Sequence, residues 1–341
     1  MGLDLKPLIT PTPFKLAKLS GKVVAIDAYN TIYQFLSTIR GPSGEPLANG
    51  RGEITSHLTG LFYRNVNLLV EGVKPVYVFD GKMHPLKAQE IERRFQVKQE
   101  AVAQYNHALE EGRMDDAVKY GKRTSVLTSA MVEESKKVLS VMGIPYLQAP
   151  ADGEAAAAHL TKIDLAHASA SQDYDSVLFG AKRLVRNLAV SGRRKVPNKS
   201  AYVEVEPEIY EHEKVLKETG LTAEQLVDVG ILIGTDFNPG GFAGIGPKTA
   251  MKLIKEHGRL EDIEKVKHLL ADVPYQQIRD IFLEPEVPKV DKIEFGPVNR
   301  EKVLDFLCVD KSFSTDRVAG TLDRLQKAHD ARSQSLEKWF G

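Results

Sequence analysis

Seven acidic residues in the 341-residue sequence stand where they could do chemistry. Asp27 closes the apolar run KVVAID and Asp80 closes PVYVFD, Asp152 and Glu154 follow IPYLQAP, Asp173 and Asp175 follow ASASQ, and Asp236 follows VDVGILIGT. Short apolar runs of this kind read as buried strands, and a residue directly after a strand of a parallel sheet points into the crevice at its carboxyl edge. Taken singly, each acid is as readily a turn former or a helix cap, and the whole set could be scattered caps. If they converge, they raise each other's pKa, and all can stay ionised only beside cations. The sole cysteine, Cys308 in VLDFLCV, excludes an internal disulfide and a thiolate cluster. Oxygen ligands point to hard ions, Mg²⁺ or Mn²⁺. Two such ions a few Å apart would activate water and stabilise both oxygens of a phosphodiester displacement.

Three further segments offer binding chemistry. In GGFAGIGPKTA, Gly244 and Gly246 permit a tight turn with exposed amides, Pro247 suits the first turn of a helix, and Lys248 follows. Amides at a helix N-terminus bind phosphate without reading sequence, although a plain helix–helix turn fits as well, and the spacing is not that of a Walker loop. The preceding LTAEQLVDVGILIG is periodic in apolar residues, so the unit reads helix, hairpin, helix over 221–258. From Lys182 to Lys199 there are seven Lys or Arg and no acid. There LVRNLAV and YVEVE predict a hairpin with Arg193, Arg194 and Lys195 in its basic tip, either a phosphate contact or a solubilising loop. Residues 86–123 are helical, dense in charges of both signs, and carry only a narrow apolar stripe of Ile91, Phe95, Val102, Tyr105 and Leu109. On composition alone they are a solvated helical excursion.

The elements that must position these residues alternate. Strand KVVAID, the helical period of ITSHLTGLFYRNVNLLVEG, and strand PVYVFD predict a right-handed crossover in a parallel sheet. SAMVEESKKVLSVMG, IPYLQAP, GEAAAAHLTKI and AHASASQD continue the rhythm as helix, strand, helix, strand. The expectation is an α/β fold with a central twisted, mostly parallel sheet and helices on both faces. With 42% hydrophobic residues the chain can bury a sizeable core, and 46 basic against 46 acidic residues argue against a surface that coats nucleic acid throughout, though not against a local basic face. No apolar stretch approaches a membrane span and the N-terminus lacks a signal peptide, so the expected location is cytoplasmic, with no membrane partner.

These motifs together resemble the flap endonucleases, structure-specific 5′ nucleases with a PIN-like fold. The matching segments are MGLDLK, VVAIDAYNTIYQFL, GEITSHLTGLFYR, KPVYVFDGK, the acid pair after QAP, SQDYDSVLFGA, LIGTDFNPGGFAGIGPKTA and the terminal SLEKWF. They span nearly the whole chain in family order. The resemblance implies a Mg²⁺-dependent flap endonuclease and 5′–3′ exonuclease of replication and base excision repair, acting on branched duplex DNA with a 5′ flap. It implies that Asp27, Asp80, Asp152 and Glu154 serve one metal and Glu154, Asp173 and Asp175 a second, with Asp236 in an outer role. Lys87 and Arg94, seven apart on one helix face, would contact the scissile phosphate, and Tyr33 would stack on a neighbouring base, where packing into the core is its alternative. Residues 86–130 become a helical arch, and the glycine hairpin holds downstream duplex through a monovalent ion such as K⁺. Gly2, Arg40, Thr55 and Arg64 join Arg193, Arg194, Lys195, Gly244, Gly246 and Lys248 as DNA-contact positions, with a pocket for a one-nucleotide 3′ flap around Arg40, Thr55 and Arg64. One nuclease domain over 1–326 is expected, in parts 1–85, 86–130, 131–220, 221–258 and 259–326. A flexible tail over 327–341 follows, in which Ser333, Leu336, Trp339 and Phe340 resemble a sliding-clamp motif, and the protein is expected to be a monomer.

Two departures from the family pattern stand out. Where Ser-Glu-x-Glu is usual, this chain has Ala151, Asp152, Gly153 and Glu154, so the first acid is one methylene shorter. In the tail, Ser333 takes the place of the expected Gln, with Gln334 one place late, and the chain stops after the motif as archaeal members do. Two other readings remain at this point. Asp173-Tyr174-Asp175-Ser176-Val177 fits the nucleophile motif of haloacid-dehalogenase phosphatases, although that motif belongs after a first strand. A non-catalytic junction-binding scaffold would keep the hairpin and tail without the reaction.

Overall fold

The computed structural model describes residues 3–188, 192–195 and 202–340, with only the backbone course for 192–195, 202–204 and 335–340. The strands are β1 (Thr12–Pro13), β2 (Val23–Asp27), β3 (Lys74–Phe79), β4 (Tyr146–Gln148), β5 (Ala168–Ala170), β6 (Arg183–Arg186), β7 (Gly192–Lys195), β8 (Tyr202–Val205) and β9 (Glu208–Glu211). The α-helices are α1 (Ala28–Thr38), α2 (Ser56–Val70), α3 (Ala88–Glu110), α4 (Met114–Gly121), α5 (Ser129–Val141), α6 (Gly153–Lys162) and α7 (Asp175–Leu178). They continue with α8 (His212–Thr219), α9 (Ala223–Ile233), α10 (Pro247–His257), α11 (Glu264–Lys267), α12 (Tyr275–Leu283), α13 (Arg300–Leu304) and α14 (Thr315–Phe340).

Seven strands form one sheet in the order β1-β9-β6-β5-β2-β3-β4. β6, β5, β2, β3 and β4 run parallel, while β9 pairs antiparallel with β6 and β1 antiparallel with β9. From β2 the chain builds outward through β3 and β4, then returns to the other side of β2 to lay down β5 and β6. The strand order therefore reverses between β2 and β5, and the crevice at such a switch point is where open α/β sheets hold ligands.

Both faces of the sheet are buried, as parallel strands require. Val24 and Ile26 of β2 and Tyr77 and Phe79 of β3 pack with Phe35, Leu58, Leu61, Phe62, Val138 and Leu322 from α1, α2, α5 and α14. The alternate residues Ala25, Val76 and Val78 face Ala156, Ala157 and Leu160 of α6. Ala155 to Ala158 are all buried, so the four-alanine run exists to bring α6 close against the sheet. Burying a Phe62 or a Leu61 contributes about 1.5–3 kcal/mol each. A second core under α7, α9, α10 and α12 holds Phe179, Leu226, Phe237, Ile254 and Phe282.

Three local expectations are corrected. Residues 184–186 of LVRNLAV lie in β6 of the main sheet, hydrogen-bonded between β5 and β9, so they cannot face YVEVE across a hairpin. The strand opposite Tyr202–Val205 is Gly192–Lys195, which puts Arg193, Arg194 and Lys195 on a strand rather than at a tip. Their side chains lie outside the described residues, as does Gly2. The segment from 327 does not begin a separate tail but continues α14. Its Arg332 guanidinium donates to the Val70 and Leu69 carbonyls at 2.5 and 2.9 Å, anchoring the helix to the open end of α2.

Candidate active site

Parallel strands deliver their carboxyl ends to one edge, and Asp27, Asp80, Asp152 and Asp173 arrive there in the spatial order β5, β2, β3, β4. Asp27 ends β2 and also caps α1, its Oδ1 accepting from the Asn30 amide at 3.0 Å. Asp152 likewise caps α6, accepting from the Glu154 amide at 2.9 Å, and Asp80 Oδ1 accepts from the Gly153 amide at 2.7 Å. The cap reading and the cluster reading are therefore both true. A capping Asp sits at a helix start, and here two helices start at the sheet edge. Glu154 in the first turn of α6 and Asp175 at the start of α7 are buried.

The charges act on one another. Burial, then Asp80, pushes Asp27 well above the usual carboxylate range, and burial with Asp152 lifts Asp80 to about 6. Burial raises Glu154 and Asp175 strongly, helped by Asp175 and Asp27 for the first and by Asp236 and Asp173 for the second. Asp173 is raised by burial and then by Asp236. Among the described residues two cations form ion pairs with these acids. Lys87 Nζ pairs with Asp152 and lies 5.0 Å from the centre of the Phe237 ring. Arg94 Nη2 donates to both Asp236 oxygens at 2.8 Å. Burial pulls both side chains toward the neutral form, but the surrounding acids outweigh it and hold them charged.

Among the described residues, Lys87, Arg94 and the Arg186 charge felt by Asp173 leave the seven acids under-neutralised. Among the described residues no three of these side chains close on a common point as metal ligands would. Glu154 Oε1 and Asp175 Oδ1 are buried and have no hydrogen-bond partner. Buried carboxylate oxygens without donors fit a hard divalent cation, and the all-oxygen donor set fits Mg²⁺.

Lys87 does not share the arch helix with Arg94, contrary to expectation: it ends the 3₁₀ turn Pro85–Lys87 and stands at the N-cap of α3. It reaches the cluster because Pro85 starts that turn beside the sheet edge, and Arg94 reaches it from α3. α3 and α4 form the helical pair expected as an arch, and within the first turns of α3 the buried Glu90 carboxylate accepts from Arg93 and Arg94 at 2.6 Å. Tyr33 is not in the core: it is 40% exposed on α1, with Lys98 of α3 5.8 Å from its ring centre.

The hairpin between α9 and α10 presents Gly244, Gly246 and Lys248, all exposed. Gly244 has φ +75°, and a Cβ at either glycine would meet no protein atom, which leaves their backbone open to a ligand. Two of the expected contact residues, Thr55 and Arg40, are engaged with the protein itself. Thr55 is buried, and Arg40 spends its guanidinium on the Leu36 and Gly44 carbonyls at 3.0 and 2.7 Å and on Ser125 Oγ at 2.6 Å. Arg64, half-buried, lines a small, partly open cavity with Asn30, Gln34 and Tyr77. The open groove nearby is lined by Arg51, Glu53, Glu134, Lys137, Phe306 and Lys311. Ser333 donates its hydroxyl to the His329 carbonyl at 3.2 Å, while the Leu336, Trp339 and Phe340 side chains lie outside the described residues.

Sequence reasoning passed over Asn30 and Arg186, which grip the loop carrying Asp173. Asn30 stands three residues after Asp27, a spacing that puts it back over the same strand end and was the available signal. Arg186 Nε donates to the Gln172 carbonyl at 3.0 Å, and its guanidinium lies 4.1 Å from the Tyr174 ring centre.

The comparisons with known proteins agree with this architecture. Residues 3–101 match the family model of the XPG N-terminal domain and residues 143–236 that of the XPG I-region. The class is thus that of the XPG-type nucleases, with the acids from Asp27 to Asp236 all inside the two matched regions. The chain is 55% identical over 340 residues to Flap endonuclease 1 of Nitrosopumilus maritimus, covering 100% of both chains. Among solved structures, flap endonuclease-1 from Methanococcus jannaschii is 36% identical with a TM-score of 0.75, covering 97% of this chain and 100% of that one. The catalytic core of Rad2 in complex with DNA substrate is 25% identical with a TM-score of 0.69, covering 92% and 96%. The chain belongs to the flap endonuclease family, whose members are magnesium-dependent nucleases that hydrolyse DNA. No helix among the described residues is long and apolar enough to cross a membrane.

Proposed function

We propose that the protein cuts DNA phosphodiesters at the base of 5′ flaps, and trims 5′ ends at nicks and gaps, during lagging-strand maturation and base excision repair. The observation that carries this reading is the under-neutralised carboxylate edge, with buried, donorless oxygens on Glu154 and Asp175, reached by Lys87 from the turn before α3 and by Arg94 from α3 itself. Asp27, Asp80, Asp152 and Glu154 would hold one Mg²⁺, and Glu154, Asp173 and Asp175 a second, with Asp236 outside them. Bound Mg²⁺ would polarise the phosphodiester and lower the pKa of attacking water.

The chain's own groups do the rest. Lys87 and Arg94, which here neutralise Asp152 and Asp236, are the cations positioned to turn to a phosphate once metal takes over those acids, and there they offset its developing charge. Exposed Tyr33, under the arch helix, gives a base a face to stack on. The Gly244–Lys248 turn offers amides and an ammonium to duplex backbone, with a monovalent ion such as K⁺ as bridge, and binds without reading sequence. A one-nucleotide 3′ flap has more room in the groove lined by Arg51, Glu53 and Lys311 than among buried Thr55 and internally bonded Arg40. Leu336, Trp339 and Phe340 are the anchors for a sliding clamp. We read the protein as a monomer working in the cytoplasm, supported by relatives that are archaeal.

The phosphatase reading fares worse, because Asp173 and Asp175 follow β5, midway along the chain, and share their crevice with four other acids. The test is a double-flap DNA labelled at its 5′ flap, incubated with Mg²⁺ or EDTA and with wild type or Asp175→Ala. Magnesium-dependent release of the flap, lost in the variant, is expected; tight binding without cutting would leave a scaffold.

A further inference from the structure

At the switch point of the sheet one residue outside the acid set touches two of its members. Asn30 lies in the first turn of α1, and its backbone amide donates to Asp27 Oδ1 at 3.0 Å. Its side-chain Nδ2 donates to Asp173 Oδ2 at 2.7 Å, and its Oδ1 accepts from the Gln172 amide at 3.1 Å. This orientation of the amide is the one that satisfies both partners, because the Gln172 amide can only donate and the carboxylate only accept. The Gln172–Tyr174 stretch is gripped on its other side by Arg186, through the Gln172 carbonyl and the Tyr174 ring. The short strand β5 supplies only three residues to the sheet, so the loop that follows it needs outside support.

We propose that Asn30 is a positioning residue that holds Asp173 in register with Asp27 across the β2–β5 crevice, setting the affinity and spacing of the divalent-ion site. The proposal rests on the reading of these acids as metal ligands. A carboxamide suits the task because it donates to the carboxylate without adding charge, whereas a lysine would neutralise the ligand and an acid would repel it.

The test compares wild type with Asn30→Leu, close in volume and unable to hydrogen-bond, and with Asn30→Ser, which keeps a short hydroxyl donor. Mn²⁺ is titrated into DNA-free protein by calorimetry, and flap cleavage is followed against Mg²⁺ concentration. In Asn30→Leu, Mn²⁺ affinity is expected to fall about 10- to 100-fold, the scale for losing a partner of a metal ligand, with the half-saturating Mg²⁺ rising in step. KM for DNA at saturating Mg²⁺ is expected to hold, and Asn30→Ser to recover part of the affinity. Variants that bind Mn²⁺ as wild type does, or whose defect lies wholly in KM for DNA, would overturn the positioning role alone. Wild-type protein that binds no Mn²⁺ would overturn the ligand reading beneath it.

Discussion

Two buried groups of acids in this molecule have opposite characters. In the helical half, Asp228 of α9 is 1% exposed, and both of its oxygens are used: Arg279 donates from Nε to Oδ1 at 2.9 Å and from Nη2 to Oδ2 at 3.0 Å, and the Leu260 amide donates to Oδ2 at 3.2 Å. Arg279 also binds Glu261 Oε2 at 2.8 Å, so one guanidinium ties α9 and α12 to the turn at Leu260. At the sheet edge, Asp175 and Glu154 are nearly as buried, at 6% and 8%, yet each keeps an oxygen with no donor. Burial alone does not separate a structural acid from a working one, since it raises Asp228 as well. What separates them is whether the protein itself supplies the compensating donors. Where it does, the acid is part of the framework; where it does not, the energy cost is left for a ligand to offset.

Removing one member from each group should therefore have opposite consequences. Asp175→Ala should lower flap cleavage by about 10³-fold or more, the scale of losing a group that organises charge in the transition state. In EDTA the same position should stabilise the fold, with Asp175→Asn raising Tm by about 2–4 °C, because a repelled carboxylate is gone. Loss of both activity and stability would mean that Asp175 is framework after all.

Arg279→Ala should do the reverse, destabilising by about 3–5 kcal/mol in denaturant titration, because Asp228 is left buried and unpaired. Cleavage per folded molecule should stay within about twofold, and replacing the pair together, Asp228→Leu with Arg279→Met, should restore most of the stability. If the double replacement is as unstable as Arg279→Ala, the ion pair holds the helices in a way packing cannot replace.

The sheet edge also predicts a pH dependence. A carboxylate whose folded pKa lies above its unfolded value binds more protons when folded, so stability falls as pH rises through that window. For Asp80 the window runs from 3.8 to about 6, and Asp27, Glu154 and Asp175, also raised by burial, contribute with the same sign. Glu261, held below its ordinary value chiefly by Arg279, has the other sign and matters only at more acid pH. Burial lowers His159, His167 and His212, which adds stability as pH rises, but those residues titrate alike in every variant. The quantity to measure is therefore the Tm of metal-free wild type relative to Asp175→Asn between about pH 5 and pH 7.5. Wild type should lose ground as pH rises, and Mg²⁺ should close the gap.

How much of this contrast could be read in the sequence depends on range. Asp27 and Asp80 were legible because each ends an apolar run, and strand-end position is a local property. Their convergence was legible too, since parallel strands share one carboxyl edge. Asp228 gave no signal: it sits mid-helix in an apolar stretch, and its partner Arg279 is far along the chain, so only tertiary packing reveals the pair. The same limit explains the hairpin, where the apolar LVR was drawn into the main sheet by β9 while GRRK, which has no strand-like composition, took its place opposite YVEV. It explains Arg40 as well, because nothing local distinguishes an arginine offered to DNA from one bonded to Gly44 and Ser125.

Asp152 lies between the two groups and gives the finest test of the distinction. It belongs to the sheet edge, yet it is compensated like a framework acid, by the Glu154 amide and by Lys87. Aspartate is also the better cap, because its short side chain returns to the second amide of α6, whereas glutamate places its oxygens one methylene further out. Glutamate at this position would therefore exchange cap quality for reach. Asp152→Glu should cost up to about 1 kcal/mol in thermal or denaturant unfolding as the cap weakens. Cleavage should change by no more than about threefold, since charge is kept and Lys87 is long enough to follow it. An inactive Asp152→Glu would show that oxygen position, not charge, is what this acid contributes, and would move Asp152 wholly into the group that waits for a ligand.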